Sequence, residues 1–467
     1  MGFSEFLNSR RDSVKALVKE LQKEYSYVSV LGSDVKVKSV LVNKSTSAIR
    51  PGRETECGFV VKMSNGSGFY EYSVDDIPEN PVSLASKISQ AFKLQQELKA
   101  ETIQSVHLPD ETLKKSFARE SDLHDYTDDQ LLSFCKNLCS DILKMSEHFL
   151  NVSVSLGTLE VSKLFISIHR ELDQNYTWVN GSLRGVYSEN DRVVQVREGA
   201  YDCNMAPVLA QLPGHGEKLL KKAHFLTLAK PVTPGVYDCI TDPSITGLIA
   251  HEAFGHGVEM DQFVKDRALA KSYVGKYVAS PICNMHDGAD ATLSVASYFF
   301  DDDGVLAHDT QIIKDGILLT GISDLGSAVQ LGTEPTGNGR RESTRHKAYT
   351  RMTNTFFCKG QDKLEDMIAS IQHGYMLFET NNGMEDPKNW AIQCVAEYGI
   401  EIVDGKLTDN YVSPVVMSGY VPDLLKSISM ISDDFEIEGA GMCGKGYKEW
   451  VRVSDGGPAL KVKVKLG

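Results

Sequence analysis

The segment IAHEAFGHGVE, residues 249–259, places a glutamate directly after the first of two histidines. In a zinc-protease helix two imidazoles bind the metal and a neighbouring glutamate takes a proton from water, which is chemistry that His251, Glu252 and His256 could perform. The two histidines are five positions apart, whereas the familiar H-E-x-x-H helix has them four apart. A regular helix would turn them about 140° from each other and aim them at different points.

One extra residue in a helix can be absorbed as a single wide turn, a π-bulge, and such bulges are frequent at functional sites. Gly255 stands immediately before His256 and is the residue type that best tolerates this distortion. The spacing therefore predicts a π-bulge that returns His251 and His256 to one metal ion. The alternative is that both histidines are ordinary helix residues and that Glu252 is a solvated one.

A catalytic zinc needs about three protein ligands and one open position, so a third ligand is required. Spacing does not identify it. Glu259 and Asp261 lie close in sequence, although side chains at such positions are more often solvated. Cys443 lies in EGAGMCGKGYKEW, where several glycines permit tight folding and where Lys445 and Lys448 would favour a thiolate. The alternative is a small buried cysteine in a glycine-rich turn.

The composition is that of a soluble globular protein in a reducing compartment. The 467 residues are 42% hydrophobic and 24% charged, and no apolar run approaches the length of a membrane span. The formal charge of −14, without a basic block, disfavours binding to nucleic acid. The nine cysteines are scattered and form no C-x-x-C pair. We therefore expect a cytoplasmic protein without a signal peptide and without membrane or nucleic-acid partners.

The elements around the motif predict an α+β fold of two domains. Before residue 228, helical patterns alternate with strand patterns, and one helix begins with a capping box of Thr127 and Gln130. The segment LAKPVTPGVYD, residues 228–238, carries prolines and a glycine and is the predicted boundary. After it, residues 236–240 are typical of a strand, and Asp242 and Pro243 begin the motif helix as its N-cap and first residue.

The C-terminal half has the pattern of hairpins. Asp315-Gly316 and Asp404-Gly405 each separate β-rich runs. The last segment, LKVKVKLG, alternates lysine with apolar residues and is predicted to be an edge strand guarded by charge. We therefore predict an N-terminal mixed α/β domain, residues 1–228, and a C-terminal domain, residues 229–467, dominated by antiparallel β-sheet with the metal-binding helix packed on it.

Three segments resemble, in the same order, motifs of the TldD/PmbA metallopeptidase family, whose members were once labelled modulators of DNA gyrase. They are DPSITGLIAHEAFGHGVE, GNGRRESTRHKAYTRMTNT (residues 337–355) and GAGMCGKG. The likeness covers most of the C-terminal half, and the N-terminal half matches in general layout only. It implies that His251, His256 and Cys443 bind Zn²⁺ and that Glu252 is the catalytic base. The intact motif resembles the catalytic branch and not the motif-less paralogue.

The resemblance also implies a dimer whose closed cleft admits unfolded peptides and not folded proteins. The partner subunit would be a second copy or a motif-less paralogue. Extended peptides can pair with a sheet edge through backbone hydrogen bonds, which gives affinity with little sequence preference. Arg340 or Arg341, in the second segment, could meet a substrate carboxylate. The expected function is a zinc-dependent metallopeptidase that hydrolyses unfolded or linear peptides in their maturation or degradation.

Other interpretations remain open. Dipeptidyl peptidase III carries a similar H-E-x-x-x-H helix, but this chain lacks the separate E-E-x-x-A-E-like segment that should supply the third ligand there. A metal could instead stabilise a peptide-binding or partner-binding module without proteolytic activity. Closed structural sites usually have four protein ligands, so an exchangeable water at the metal would separate the two classes.

Overall fold

The computed structural model describes residues 2–66, 68–98, 112–445 and 448–467. The helices of the N-terminal half are α1 (Glu5–Leu21), α2 (Val82–Leu98), α3 (Asp128–Met145) and α4 (Met205–Leu228), with a 3₁₀ turn at Leu123–Asp125. Its strands are β1 (Tyr27–Val42), β2 (Ser47–Pro51), β3 (Glu56–Ser64), β4 (Phe69–Val74), β5 (Leu113–Ala118), β6 (Phe149–Ser167), β7 (Arg170–Glu189) and β8 (Arg192–Asp202).

Strands β1 to β8 form one sheet in the order β4-β3-β1-β6-β7-β5, with β2 paired to β1 and β8 paired to β7. Strands β5 and β7 run parallel, whereas β6 and β7 form a long antiparallel pair. The predicted capping box is confirmed, since Thr127 and Gln130 bond reciprocally at the start of α3. The mixed α/β character predicted for this half is confirmed as well.

Alternate residues of the long strands β6 and β7 face opposite sides of this sheet. On one face, Val154 and Leu156 are buried against α3 and α4. On the other face, Val161 and Trp178 pack against Val295 of the C-terminal half. The N-terminal sheet is therefore covered by helices on one side and by the C-terminal half on the other.

The C-terminal half begins with β9 (Gly235–Thr241), α5 (Pro243–Leu248), a π-helix (Ile249–Gly255), a 3₁₀ turn (His256–Val258) and α6 (Met260–Val264). Its other helices are a 3₁₀ turn (Leu269–Tyr273), α7 (Leu325–Leu331), α8 (Leu364–Ala369) and α9 (Val421–Lys426). Its other strands are β10 (Met285–Asp287), β11 (Thr310–Lys314), β12 (Ile317–Leu318), β13 (Gly339–Arg340), β14 (Tyr349–Thr350), β15 (Asn354–Phe357), β16 (His373–Asp386), β17 (Ala391–Val403), β18 (Lys406–Val412), β19 (Val415–Tyr420), β20 (Met430–Ile431), β21 (Glu436–Lys445), β22 (Lys448–Gly457) and β23 (Leu460–Leu466).

Two larger sheets organise this half. One has the order β12-β11-β10-β15-β22-β21, and the other has the order β16-β9-β23-β19-β17-β18. Because β16 also pairs with β17, the second sheet closes on itself. The α5 and π-helix segment is buried against both sheets in one hydrophobic core. The predicted antiparallel character is confirmed, with parallel exceptions at β9–β16 and β15–β22.

The two turn predictions are confirmed, whereas the edge-strand prediction is not. The turns at Asp315-Gly316 and Asp404-Gly405 join β11 to β12 and β17 to β18, and both aspartates have the positive φ that such turns need. The predicted edge strand is wrong, because β23 pairs with β9 on one side and with β19 and β20 on the other. The alternation of lysine and apolar residues in β23 indicates one buried and one exposed face of the strand. It does not indicate which strands lie beside β23. The domain division at residues 228 and 229 stays a prediction.

None of the helices in the described ranges is both long and apolar enough to cross a bilayer. The location in the cytoplasm stays a prediction.

Buried ion pairs hold the two halves together. Lys62 of β3 donates to Asp303 at 2.5 Å, and Arg341 donates to Glu71 of β4 at 2.9 Å. Lys163 of β6 bonds Asp302 in the same region. Burial alone would lower the pKa of Lys62, but Asp303 and Glu71 hold that pKa above its usual value.

Replacing Lys62 by methionine is expected to lower the free energy of unfolding by about 3–5 kcal/mol, because the carboxylate of Asp303 would stay buried without its partner. Urea unfolding followed by circular dichroism measures this loss. The control is Lys23→Met, which removes an exposed lysine that pairs with Glu20 and should cost under about 1 kcal/mol. An equally small loss at Lys62 would contradict the assigned role.

Candidate metal centre

The motif helix begins as the sequence predicts. The side chain of Asp242 accepts a hydrogen bond from the backbone N–H of Ile245 at 2.8 Å, and Pro243 is the first residue of α5. The helix then widens into the π-helical segment Ile249–Gly255, and the N–H of His256 donates to the carbonyl of His251. The predicted π-bulge is confirmed, and it turns the two histidines towards each other.

Gly255 serves the π-turn in a way that differs from the prediction. Its φ of −60° is ordinary for a right-handed helix, so backbone freedom is not what this position needs. A Cβ atom there would lie 2.2 Å from the sulfur of Met352 and 3.0 Å from the carbonyl oxygen of Ala250. The absence of a side chain therefore lets Met352 pack directly against the widened turn.

His251, His256 and Cys443 come together although Cys443 lies on β21, far along the chain. The imidazole rings of the two histidines are 5.1 Å apart between centroids and nearly perpendicular. The Sγ of Cys443 lies 3.4 Å from Nε2 of His256. One ligand atom from each of the three residues lies within 4.8 Å of the other two. The arrangement joins two imidazole nitrogens and one sulfur around a single point.

Glu259 and Asp261, which the sequence left open as third ligands, lie behind this group. Glu259 accepts a hydrogen bond from Nδ1 of His256 at 3.2 Å, which leaves Nε2 directed towards Cys443. Lys445 contacts Glu259 at 3.1 Å and Asp261 at 2.7 Å. Glu259 therefore orients His256 from behind, as the second partners of metal-binding histidines commonly do.

The partner of the Cys443 sulfur is Arg351. This arginine is fully buried, and its Nη2 donates to both the sulfur and the carbonyl oxygen of Cys443 at 2.9 Å. The sequence suggested Lys445 and Lys448 for this role. Lys445 instead pairs with Glu259 and Asp261, and the side chain of Lys448 lies outside the described residues. Sequence reasoning missed Arg351, whose only signal was its place in the segment of residues 337–355.

The charges of the three residues stabilise one another. Burial alone would raise the pKa of the Cys443 thiol, but His251 and His256 hold that pKa well below its usual value. Burial alone would lower the pKa of His251, but the thiolate raises that pKa to about 9. The pKa of His256 lies well above its usual value, because Cys443 and Glu259 outweigh burial. Cys443 therefore favours the protonated form of each imidazole and both imidazoles favour the thiolate, whereas His256 opposes protonation of His251.

Glu252 lies beside both histidines. Its carboxylate oxygens are 4.0 Å from Nε2 of His251 and 3.9 Å from Nε2 of His256. Burial raises its pKa above the usual value for a glutamate. Glu252, His251 and Cys443 line one cavity of about 1400 Å³, whose other walls include the polar part of the N-terminal sheet and one side of α4.

Arg340 and Arg341 lie away from the cavity that Glu252 lines, and their contact with a substrate carboxylate stays a prediction. Arg341 is buried and pairs with Glu71, and Arg340 donates to the carbonyl of Met352 at 2.6 Å. Both line a separate, smaller cavity between the two halves. The charged segment that carries them therefore joins the halves of the molecule and does not face Glu252.

In the metal-free protein we expect the His251 imidazole to titrate with a pKa of about 9, so that it stays protonated up to that pH. Cys443→Ser removes the thiolate, after which burial should bring the His251 pKa below its usual value of about 6.5. NMR titration of the imidazole C–H signals measures both values. Cys57→Ser, at an exposed cysteine, is the control. An unchanged His251 titration in Cys443→Ser would contradict the mutual stabilisation.

Comparison with known proteins shows the family to which the chain belongs. Residues 234–466 match the family model described as the PmbA/TldA metallopeptidase C-terminal domain. A protein of Methanothermobacter thermautotrophicus named "Metalloprotease" is 25% identical over 97% of each chain. The "Zinc metalloprotease TldD homolog" of Saccharolobus solfataricus is 32% identical over 50% of this chain and 52% of its own. The crystal structure of TldE from Thermococcus kodakarensis has the same fold, with a TM-score of 0.77, 19% identity and coverage of 97% of this chain and 100% of that one. The chain therefore belongs to the PmbA/TldD family of metallopeptidases.

Proposed function

We propose that this metallopeptidase holds Zn²⁺ with His251, His256 and Cys443 and hydrolyses unfolded or linear peptides. The observation that carries the proposal is the convergence of three ligand atoms within 4.8 Å at the wall of a large cavity. A bound Zn²⁺ would polarise the scissile carbonyl and lower the pKa of the attacking water.

The donor set suits zinc. Ligands of one tetrahedral zinc ion are separated by about 3.5 Å, and the sulfur of Cys443 lies 3.4 Å from Nε2 of His256. Imidazole and thiolate favour zinc over the hard ions Mg²⁺ and Ca²⁺. In the described ranges, no fourth histidine, cysteine or carboxylate joins the group. Three protein ligands with a fourth position left open are typical of a catalytic zinc and not of a structural one.

Glu252 is the proposed general base and acid. Its carboxylate accepts a proton from the attacking water and afterwards donates that proton to the nitrogen of the leaving amine. Burial raises its pKa, which brings the carboxyl group nearer to the pH at which both transfers occur. The contacts of Arg351 and Glu259 hold Cys443 and His256 in position while Glu252 moves the proton.

The walls of the cavity support an extended substrate. The cavity lies between the N-terminal sheet and the segment with Glu252 and Cys443, so a peptide must enter between two packed halves of the molecule. A folded protein does not fit into such a space, whereas an extended chain can pair with backbone groups there. We further propose a dimer with a second copy or a motif-less paralogue.

Replacing Glu252 by glutamine is expected to leave zinc bound while the kcat for peptide cleavage falls by about 10²–10⁴-fold, because the amide cannot take the proton from water. Metal content by mass spectrometry of the purified variant and cleavage of a casein-derived peptide mixture measure the two effects. Glu217→Gln, on the surface of α4 outside the cavity, is the control for the substitution itself.

Undiminished cleavage by Glu252→Gln would contradict the assigned base. A protein that binds zinc in a closed four-ligand centre and cleaves no peptide would instead favour the metal-stabilised binding module.

A further inference from the structure

Two arginines lie side by side on the cavity wall. Arg184 of β7 and Arg197 of β8 are directly opposite each other in the antiparallel register of these strands. Like charges at such positions destabilise a sheet. Both side chains are exposed and both line the cavity that holds Glu252. A negatively charged ligand bound between the two arginines would relieve this repulsion.

No described residue forms an ion pair with either arginine, and Arg197 donates to the backbone carbonyl of Thr380. Glu438 lies near enough to Arg197 for the two groups to interact, but burial raises the pKa of that carboxyl group to about 8. Lys218 and Lys221 of α4 line the same cavity from the opposite face of β7 and β8. Other carboxyl groups of the chain line this cavity as well.

Lys222, in contrast, has carboxylate partners within the chain. This neighbour of Lys221 is buried and pairs with Glu198 at 2.7 Å and with Glu379. The fold therefore places carboxylates next to Lys222 and leaves Arg184 and Arg197 to the cavity. We call these two residues the basic wall.

We propose that the basic wall binds a carboxylate of the peptide substrate, either an acidic side chain or the free C-terminus. This inference rests on the proposed peptidase function and names the substrate class of that site. Arginine suits the role, because its planar guanidinium donates two parallel hydrogen bonds to one carboxylate. Two arginines in register provide donors along a short stretch of extended chain.

The test uses pairs of quenched fluorescent decapeptides that are uncharged except for one residue, which is aspartate in one peptide and asparagine in its twin. The aspartate is moved along the peptide, and each peptide is made with a free and with an amidated C-terminus. For the zinc-loaded enzyme we expect the KM of the preferred aspartate peptide to be about tenfold lower than that of its twin. In Arg184→Gln/Arg197→Gln this ratio should fall towards one.

Further variants control the experiment. Arg50→Gln removes an exposed arginine of β2 outside the cavity and should keep the wild-type ratio. Arg184→Gln and Arg197→Gln are also made singly, and each should reduce the ratio even if the double variant fails to fold. The preference for the aspartate peptide should fall steeply as the salt concentration rises, because exposed charges are screened at high ionic strength.

The outcomes separate this inference from the proposed function. A position-dependent effect of aspartate assigns the carboxylate to a side chain, and an effect of the free terminus alone assigns it to the C-terminus. Equal KM values for both twins and for the free and amidated forms overturn the inference and leave the peptidase function intact. If no peptide is cleaved, the peptidase function fails, and fluorescence anisotropy of the same peptides with Glu252→Gln decides the inference, because equal binding of all four forms overturns it.

Discussion

The site depends on one constraint, which is that the sulfur of Cys443 and the imidazoles of His251 and His256 must be buried together where two distant segments of the chain meet. A regular helix cannot bring His251 and His256 to one point at a spacing of five residues, and the π-helical turn at Ile249–Gly255 does so. Once Cys443 approaches, the charges favour one another, since the imidazolium ions lower the pKa of the thiol and the thiolate raises the pKa of His251 to about 9. The buried donation from Arg351 to the sulfur reinforces the thiolate from the opposite side.

The site also requires a cavity beside these three residues. The N-terminal sheet provides it because one part of its face is packed and another part is open. The apolar part, with Val161 and Trp178, packs on the C-terminal half, whereas the polar part, with Ser182 and Arg184, stands clear and lines the cavity. The buried pair of Lys62 and Asp303 fixes the two halves in this relation. The proposed peptide site therefore depends on packing and ion pairs that lie outside it.

Much of the site could be predicted from local sequence, because local chemistry determines it. The spacing of His251 and His256 required a wide turn, and the Asp242-Pro243 pair marked where the helix begins. What failed were relations between distant residues. The pattern of LKVKVKLG records two faces but not neighbours, so it did not show that β23 lies inside a sheet. Arg341 and Arg351 stand close together in one charged segment, yet one joins the halves and the other contacts Cys443. Gly255 was identified correctly but for the wrong reason, since only the fold shows that Met352 needs its space.

X-ray absorption at the zinc edge of the reconstituted protein tests the central claim most directly. The account predicts one sulfur at about 2.3 Å and imidazole nitrogens at about 2.0–2.1 Å in the first shell, with a further light atom in the open position. The sulfur contribution should vanish in Cys443→Ser. A first shell of nitrogen and oxygen only in the wild-type protein, or a sulfur signal that survives Cys443→Ser, would contradict the account.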